Sequence, residues 1–145
     1  MRSKRRKHTI KIYINISIAI ISLVIFYSCN DKKESENIYQ YSGYDTLGVQ
    51  IIEGTLLFEY SDSISISGEW DFNVIGSPEN IGPQIGEGDY IGIVENNQLW
   101  INLNPGWADD NVHLEGTIDG INITGNWVYS VFAGVMNHGT FSAEK

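Results

Sequence analysis

Beyond the first 28 residues, two histidines, many carboxylates and serines, four tryptophans and one cysteine are the residues able to do chemistry. Their spacing decides how much. His113 and His138 are the only histidines beyond residue 37. A metal site needs three or four ligands converging on one point, and neither histidine has a ligand spacing of that kind. His113 falls on the outward parity of an alternating stretch, after Asp109 and Asp110, and the expected role is a solvated strand position. Asp109-Asp110-Asn111 lacks the alternate spacing and turn glycine of a calcium loop, and reads as a polar turn after Pro105-Gly106-Trp107. No metal and no cofactor is expected. Nothing singles out two carboxylates as a glycosidase pair, and no Gly-x-Ser-x-Gly elbow presents an activated serine. These residue patterns argue against an enzyme.

The tryptophans are the candidate ligand contacts. Trp70 and Trp127 share the parity of apolar neighbours and are expected in the core. Trp100 alternates against Leu99, Ile101 and Leu103 and is expected to face outward, while Trp107 sits in a Pro-Gly loop. Aromatic side chains in loops at a barrel mouth are what a small apolar or carbohydrate ligand would meet. The long Gly- and Pro-rich loop from Ile75 to Gly88 is the candidate lid.

Cys29 is the single cysteine, so the monomer has no internal disulfide. It follows a basic run (Arg2, Lys4, Arg5, Arg6, Lys7) and an apolar stretch from Ile10 to Phe26, the layout of a secretory signal. The sequence Tyr27-Ser28-Cys29 resembles the lipobox of bacterial lipoproteins, with Ser28 as the small residue before the cysteine. That resemblance implies cleavage before Cys29, lipidation of its sulfur and acylation of its new amino group. The competing reading is an uncleaved anchor helix, since the apolar stretch approaches the ~20 residues that span a bilayer. Either reading places the rest of the chain outside the cytoplasm. Asn30 to about Asn37 is charged and aperiodic, a flexible tether.

Charge is segregated along the chain. Beyond residue 37 there are fifteen Asp and Glu and one basic residue, Lys145. Nucleic acid is excluded as a partner because phosphate neutralisation needs Lys and Arg. Anionic lipid surfaces are disfavoured for the same reason, and a basic protein partner stays compatible. The sequence does not specify an oligomeric state.

The elements that must position these residues have period two. In Ser63–Phe72 every even position is apolar or Gly and every odd one polar, a half-buried strand. Ile121-Ile123-Trp127, Leu99-Ile101-Leu103, Val112-Leu114-Gly116-Ile118 and Gly139-Phe141-Ala143 continue the pattern. Asp119-Gly120 is expected to form a type I′ hairpin turn, Asn96-Asn97 another, and Ser61-Asp62 to close a third hairpin. A hairpin unit repeats: Glu53-Gly54-Thr55 precedes Ile64–Trp70, and Glu115-Gly116-Thr117 precedes Ile121–Trp127. Glu87-Gly88-Asp89 and His138-Gly139-Thr140 are partial copies. Seven strands are counted from Ile51, with an eighth at Ile38–Tyr44. Such an all-β antiparallel meander is expected to close into a small up-and-down barrel, with a two-sheet sandwich as the alternative. Gly54, Gly68, Gly116, Gly125 and Gly139 fall on the inward parity, where a Trp from the far wall would cross over them.

Ile66-Ser67-Gly68-Glu69-Trp70, Ile123-Thr124-Gly125-Asn126-Trp127 and Gly139–Ala143 make the chain from about Tyr44 onward similar to small exported bacterial barrels of lipocalin-like or avidin-like architecture. The resemblance implies a barrel and carries no ligand set. The expected organisation is a signal peptide over 1–28, the lipidated cysteine and tether over 29–43, and one barrel domain over 44–145. The expected function is a non-enzymatic binding module in a bacterial cell envelope, lipid-anchored at the outer membrane. Its ligand is a small apolar molecule if loops 75–88 and 104–110 open onto a cavity. It is a partner protein, or the role is structural or protease-inhibitor-like, if the interior is full.

Overall fold

The computed structural model describes residues 37–145; the expected signal segment, Cys29 and most of the expected tether lie outside the described residues. Nine strands run β1 (Ile38–Tyr44), β2 (Gln50–Leu57), β3 (Glu59–Tyr60), β4 (Ser65–Val74), β5 (Gly86–Glu95), β6 (Gln98–Asn102), β7 (Asn111–Asp119), β8 (Asn122–Val131) and β9 (Gly134–Glu144). All pairings are antiparallel, each long strand pairs with its neighbours in sequence, and β1 pairs with β9. The result is a closed eight-stranded up-and-down barrel, with two-residue β3 outside the ring on β4. The β1–β9 pairing rules out the sandwich. The barrel begins at Ile38 rather than Tyr44, because Tyr39 and Tyr41 alternate inward and bury their rings.

The interior follows the period-two pattern. Ile66, Trp70 and Phe72 on β4, Leu99 and Ile101 on β6, Val112 and Leu114 on β7, and Ile123 and Trp127 on β8 are all buried. Aromatic rings fill the space between the walls. Tyr41 stacks on Phe72 at 4.1 Å and on Phe141 at 5.5 Å, Trp70 tilts against Phe72 at 5.3 Å, and Phe58 bridges Tyr39 and Tyr90. Each such side chain contributes roughly 1.5–3 kcal/mol by leaving water.

The large rings fit because glycine lies beside them on the next strand, not on the far wall as the sequence suggested. Trp70 is in register with Gly88, Tyr90 with Gly68, Phe72 with Gly54, Phe141 with Gly125 and Trp127 with Gly139. A Cβ at Gly139 would sit 2.0 Å from the Tyr44 carbonyl oxygen and 2.6 Å from the Trp127 indole nitrogen. At Gly68 it would sit 1.8 Å from the Leu57 oxygen, the atom that accepts the Tyr90 hydroxyl at 2.9 Å. That hydroxyl holds the Leu57 carbonyl where β2 gives way to β3, although β3 keeps the β2 register along β4.

The repeat has a structural counterpart. Leu56, Trp70 and Gly88 lie side by side across β2–β4–β5, and Leu114, Trp127 and Gly139 lie side by side across β7–β8–β9. Each indole N–H donates to a carbonyl at the end of the next strand but one: Trp70 to Leu103 at 3.0 Å, Trp127 to Tyr44 at 2.8 Å. Rotation by four strands maps one row onto the other. The Glu-Gly-Thr segments do not correspond, since Gly54 precedes Leu56 by two residues and Gly116 follows Leu114 by two.

Two turns bear on the sequence reading. Asn96 and Asn97 both have positive φ (52° and 64°), as a type I′ turn requires. At the β7–β8 hairpin the paired residues are Asp119 and Asn122, so the turn is Gly120-Ile121, and only Gly120 has positive φ. Gly at the first central position is the type II′ preference. Ile121 is therefore exposed rather than inward.

Candidate functional site

The meander places 45–49, 75–85, 103–110 and 132–133 at one end of the barrel, and the start of β1, the short turns and Lys145 at the other. The loop end is closed. Ile81 packs against the core, and Gln84 is fully enclosed with its Nε2 donating to the Ile81 carbonyl. Gly82 lies under the Tyr129 ring, where any Cβ would clash at 2.5 Å. Asn104 Nδ2 donates to the Pro83 carbonyl at 3.1 Å and ties this loop to the next. The loop over 75–85 is thus a plug, and Gly86 to Gly88 belong to β5.

The described clefts are open depressions of the outer surface and the rim. The Tyr41 hydroxyl is buried beside Phe72 and Phe141 without a hydrogen-bond partner, and burial pushes its pKa well up. It stays a neutral phenol in a filled core.

The four tryptophans do not form one site. Trp70 and Trp127 are core residues with satisfied indoles. Trp100 lies on the outer wall, stacked on His113 at 5.3 Å and 26°. Burial there lowers the His113 pKa, against a smaller raising effect of Glu115. Trp107 is 69 % exposed in the 103–110 loop. Only Trp70 and Trp107 meet, in a cleft of about 290 Å³ with Glu87, Gly88, Asp89 and Leu103.

That cleft is a slot in the barrel wall. The β5–β6 ladder runs from Glu95↔Gln98 only as far as Ile91↔Asn102, while β5 continues to Gly86 along β4. Asn102 Oδ1 accepts the Asn104 N–H at 2.9 Å, which turns the chain off the ladder, and Pro105 has no N–H to offer. Val94 N–H bonds the Ile64 carbonyl on the β4 side, so alternate residues of β5 direct their backbone groups to opposite edges. Ile91 and Ile93 face β6, and Glu87 and Asp89 are the next two in that series. No hydrogen bond among the described residues joins their backbone to the 103–110 loop.

The wall beside the slot is acidic. Glu69 lies opposite Asp89 and Asp71 opposite Glu87, and the four carboxylates border an outer groove of about 670 Å³ with Thr55, Leu57 and Ile38. Like charges directly opposite are destabilising in a sheet. Among the described residues no three His, Cys, Asp or Glu converge as a metal set. Sequence reasoning missed Glu87 and Asp89 as edge residues. The available signal was Asn102-Leu103-Asn104-Pro105, an Asx residue and a proline ending an alternating run.

The loop end of the barrel carries exposed apolar side chains, of which Trp107 lines the slot. Leu47, Trp107, Phe132, Val135 and Met136 are exposed at the loop end. Phe132 N–H donates to Asp109 at 2.6 Å, and the Tyr129 hydroxyl to Asp110 at 2.6 Å, which pins the 103–110 loop to the β8–β9 hairpin. No family model, no curated protein and no solved structure matches this chain.

Proposed function

We propose that this protein is an extracytoplasmic lipoprotein, held to a bacterial envelope membrane through Cys29, whose barrel is a non-enzymatic module that binds a partner protein. One observation carries the choice between ligands: the interior is packed with aromatic side chains and plugged by the 75–85 loop. A filled small barrel holds no apolar guest, and its surface does the recognition. Exposed Trp107, Phe132, Val135 and Met136 gather at the end opposite the start of β1. Exposed aromatics of this kind anchor protein interfaces.

The test uses the exported full-length protein in its own host, with a photoreactive benzophenone amino acid at position 132. The expected result is a discrete protein adduct, together with equal native and denatured masses of the protein purified without crosslinking. A mass excess lost on denaturation would restore the small-ligand reading. Replacing Cys29 with Ala is expected to move the protein out of the detergent phase. Retention there would replace lipidation with an anchor helix.

A further inference from the structure

We infer that the slot beside β5 receives an extended, basic peptide segment of the partner as an added strand, an inference that rests on the protein-binding reading and gives it a mode. The backbone supplies the first reason. Glu87 and Asp89 direct N–H and C=O groups at the edge where β6 has stopped, because Asn102 Oδ1 has captured the Asn104 N–H. Unpaired edges of this kind are templates for strand addition. The two residues offer four main-chain hydrogen bonds to a strand lying along Gly86–Tyr90.

Side-chain chemistry supplies the second. A strand added there alternates between the two faces of the sheet. Its outward side chains pass Glu87 and Asp89, with Asp71 and Glu69 one strand further. No Lys or Arg lies among residues 38–144 to neutralise these four carboxylates. Lys or Arg at alternate positions of the incoming segment would relieve like-charge pairs that now oppose one another across β4 and β5. Its other side chains turn toward the Trp70 edge, Leu103 and Trp107, an apolar floor exposed because residue 88 has no side chain. The fit is therefore to alternating basic and apolar residues. A second copy of this chain is disfavoured, since edge-to-edge pairing would bring Glu87 and Asp89 against their own kind.

The experiment titrates the full-length protein with a capped heptapeptide of alternating lysine and valine, following backbone amides by NMR and hydrogen exchange. In the free protein the Glu87 and Asp89 amides are expected to exchange as open edge groups. On titration they gain protection, and Trp107 fluorescence shifts. A peptide N-methylated at alternate residues, keeping charge and apolar surface but losing donors, is expected to bind about tenfold more weakly or worse, ~1.4 kcal/mol. Asp89→Pro, tolerable on an edge with its N–H outward, removes the response, and Asp89→Asn weakens it. Protected Glu87 and Asp89 amides in the free protein would overturn the inference. So would equal binding of the N-methylated peptide, protection confined elsewhere, absence of binding at millimolar peptide, or dimerisation through this edge. The crosslink at position 132 is an independent readout. An adduct there with a silent edge leaves the partner reading standing and removes the strand mode, and loss of the adduct removes the partner reading itself.

Discussion

The rows centred on Trp127 and Trp70 are built alike and end differently. Both set leucine, tryptophan and glycine side by side on three strands and send an indole N–H to a strand-end carbonyl. Around Trp127 the row is sealed: the Tyr44 carbonyl presses on Gly139 from β1, and the indole is wholly buried. Around Trp70 the corresponding strand stops early, the three atoms nearest a Cβ at Gly88 all belong to the indole, and the row opens into the slot. One packing device thus serves as wall in one half and as the floor of an opening in the other. The difference comes from the strand that should cover the row, not from the tryptophan.

The glycines give the sharpest way to break this comparison. Gly139→Ala would place a Cβ against a backbone oxygen that cannot move without parting β1 from β9. Its expected cost is about 3 kcal/mol or more. In Gly88→Ala the nearest atoms to the new Cβ belong to the Trp70 side chain, at 2.9 Å, rather than to backbone, and the open slot lets that ring shift. Its expected cost is about 1–2 kcal/mol. Urea midpoints of the two variants decide the matter, and equal losses would mean that the slot is not a real relaxation of the wall.

Conservative changes at the tryptophans test the likeness rather than the difference. Trp70→Phe and Trp127→Phe each remove an indole donor and part of a ring, leaving the Leu103 or Tyr44 carbonyl without its partner. Each is expected to cost about 2–3 kcal/mol, the two agreeing within ~1 kcal/mol. A near-neutral result at either site would show that the rows are alike in register only.

The sequence displayed the strands more clearly than their neighbours. Alternation placed Ile66, Trp70, Phe72, Ile123 and Trp127 inward because burial on one face of a pleated strand writes itself at every second residue. Asn96-Asn97 was legible because few residues tolerate two successive positive φ values. What lay beyond reach depends on register across strands. That Trp127 covers Gly139, or that Gly54 and Gly116 occupy unequal rungs, follows from pairings that no local pattern records. Ile121 was misplaced because a parity rule does not know where a strand yields to its turn. The slot was missed for a related reason. Leu103 continues the inward alternation of β6 and is buried, although the ladder to β5 has already ended at Asn102. The tryptophans read as one group of candidates are separated by the wall itself, Trp100 outside and Trp127 inside.

The smallest expected effect concerns the closed wall just below the slot. His113 pairs in register with Asn102, the last residue of β6, and stacks on Trp100. Partial burial lowers its pKa from the ordinary 6.5, the charge of Glu115 opposing with less weight. A depressed folded-state pKa means that the unfolded chain binds the proton first. The contribution of His113 is then fully present above pH ~6.5 and is lost as pH falls through the folded value. Between pH 7.5 and 5.5 the wild type is expected to lose more stability than His113→Gln. Because the ring is only partly buried, the gap should be below about 0.5 kcal/mol. Repulsion among the carboxylates changes in both proteins alike and drops out of the difference. Parallel thermal melts at the two pH values measure it. A wild type that gains relative to the variant on acidification would mean that Glu115, not burial, governs the imidazole.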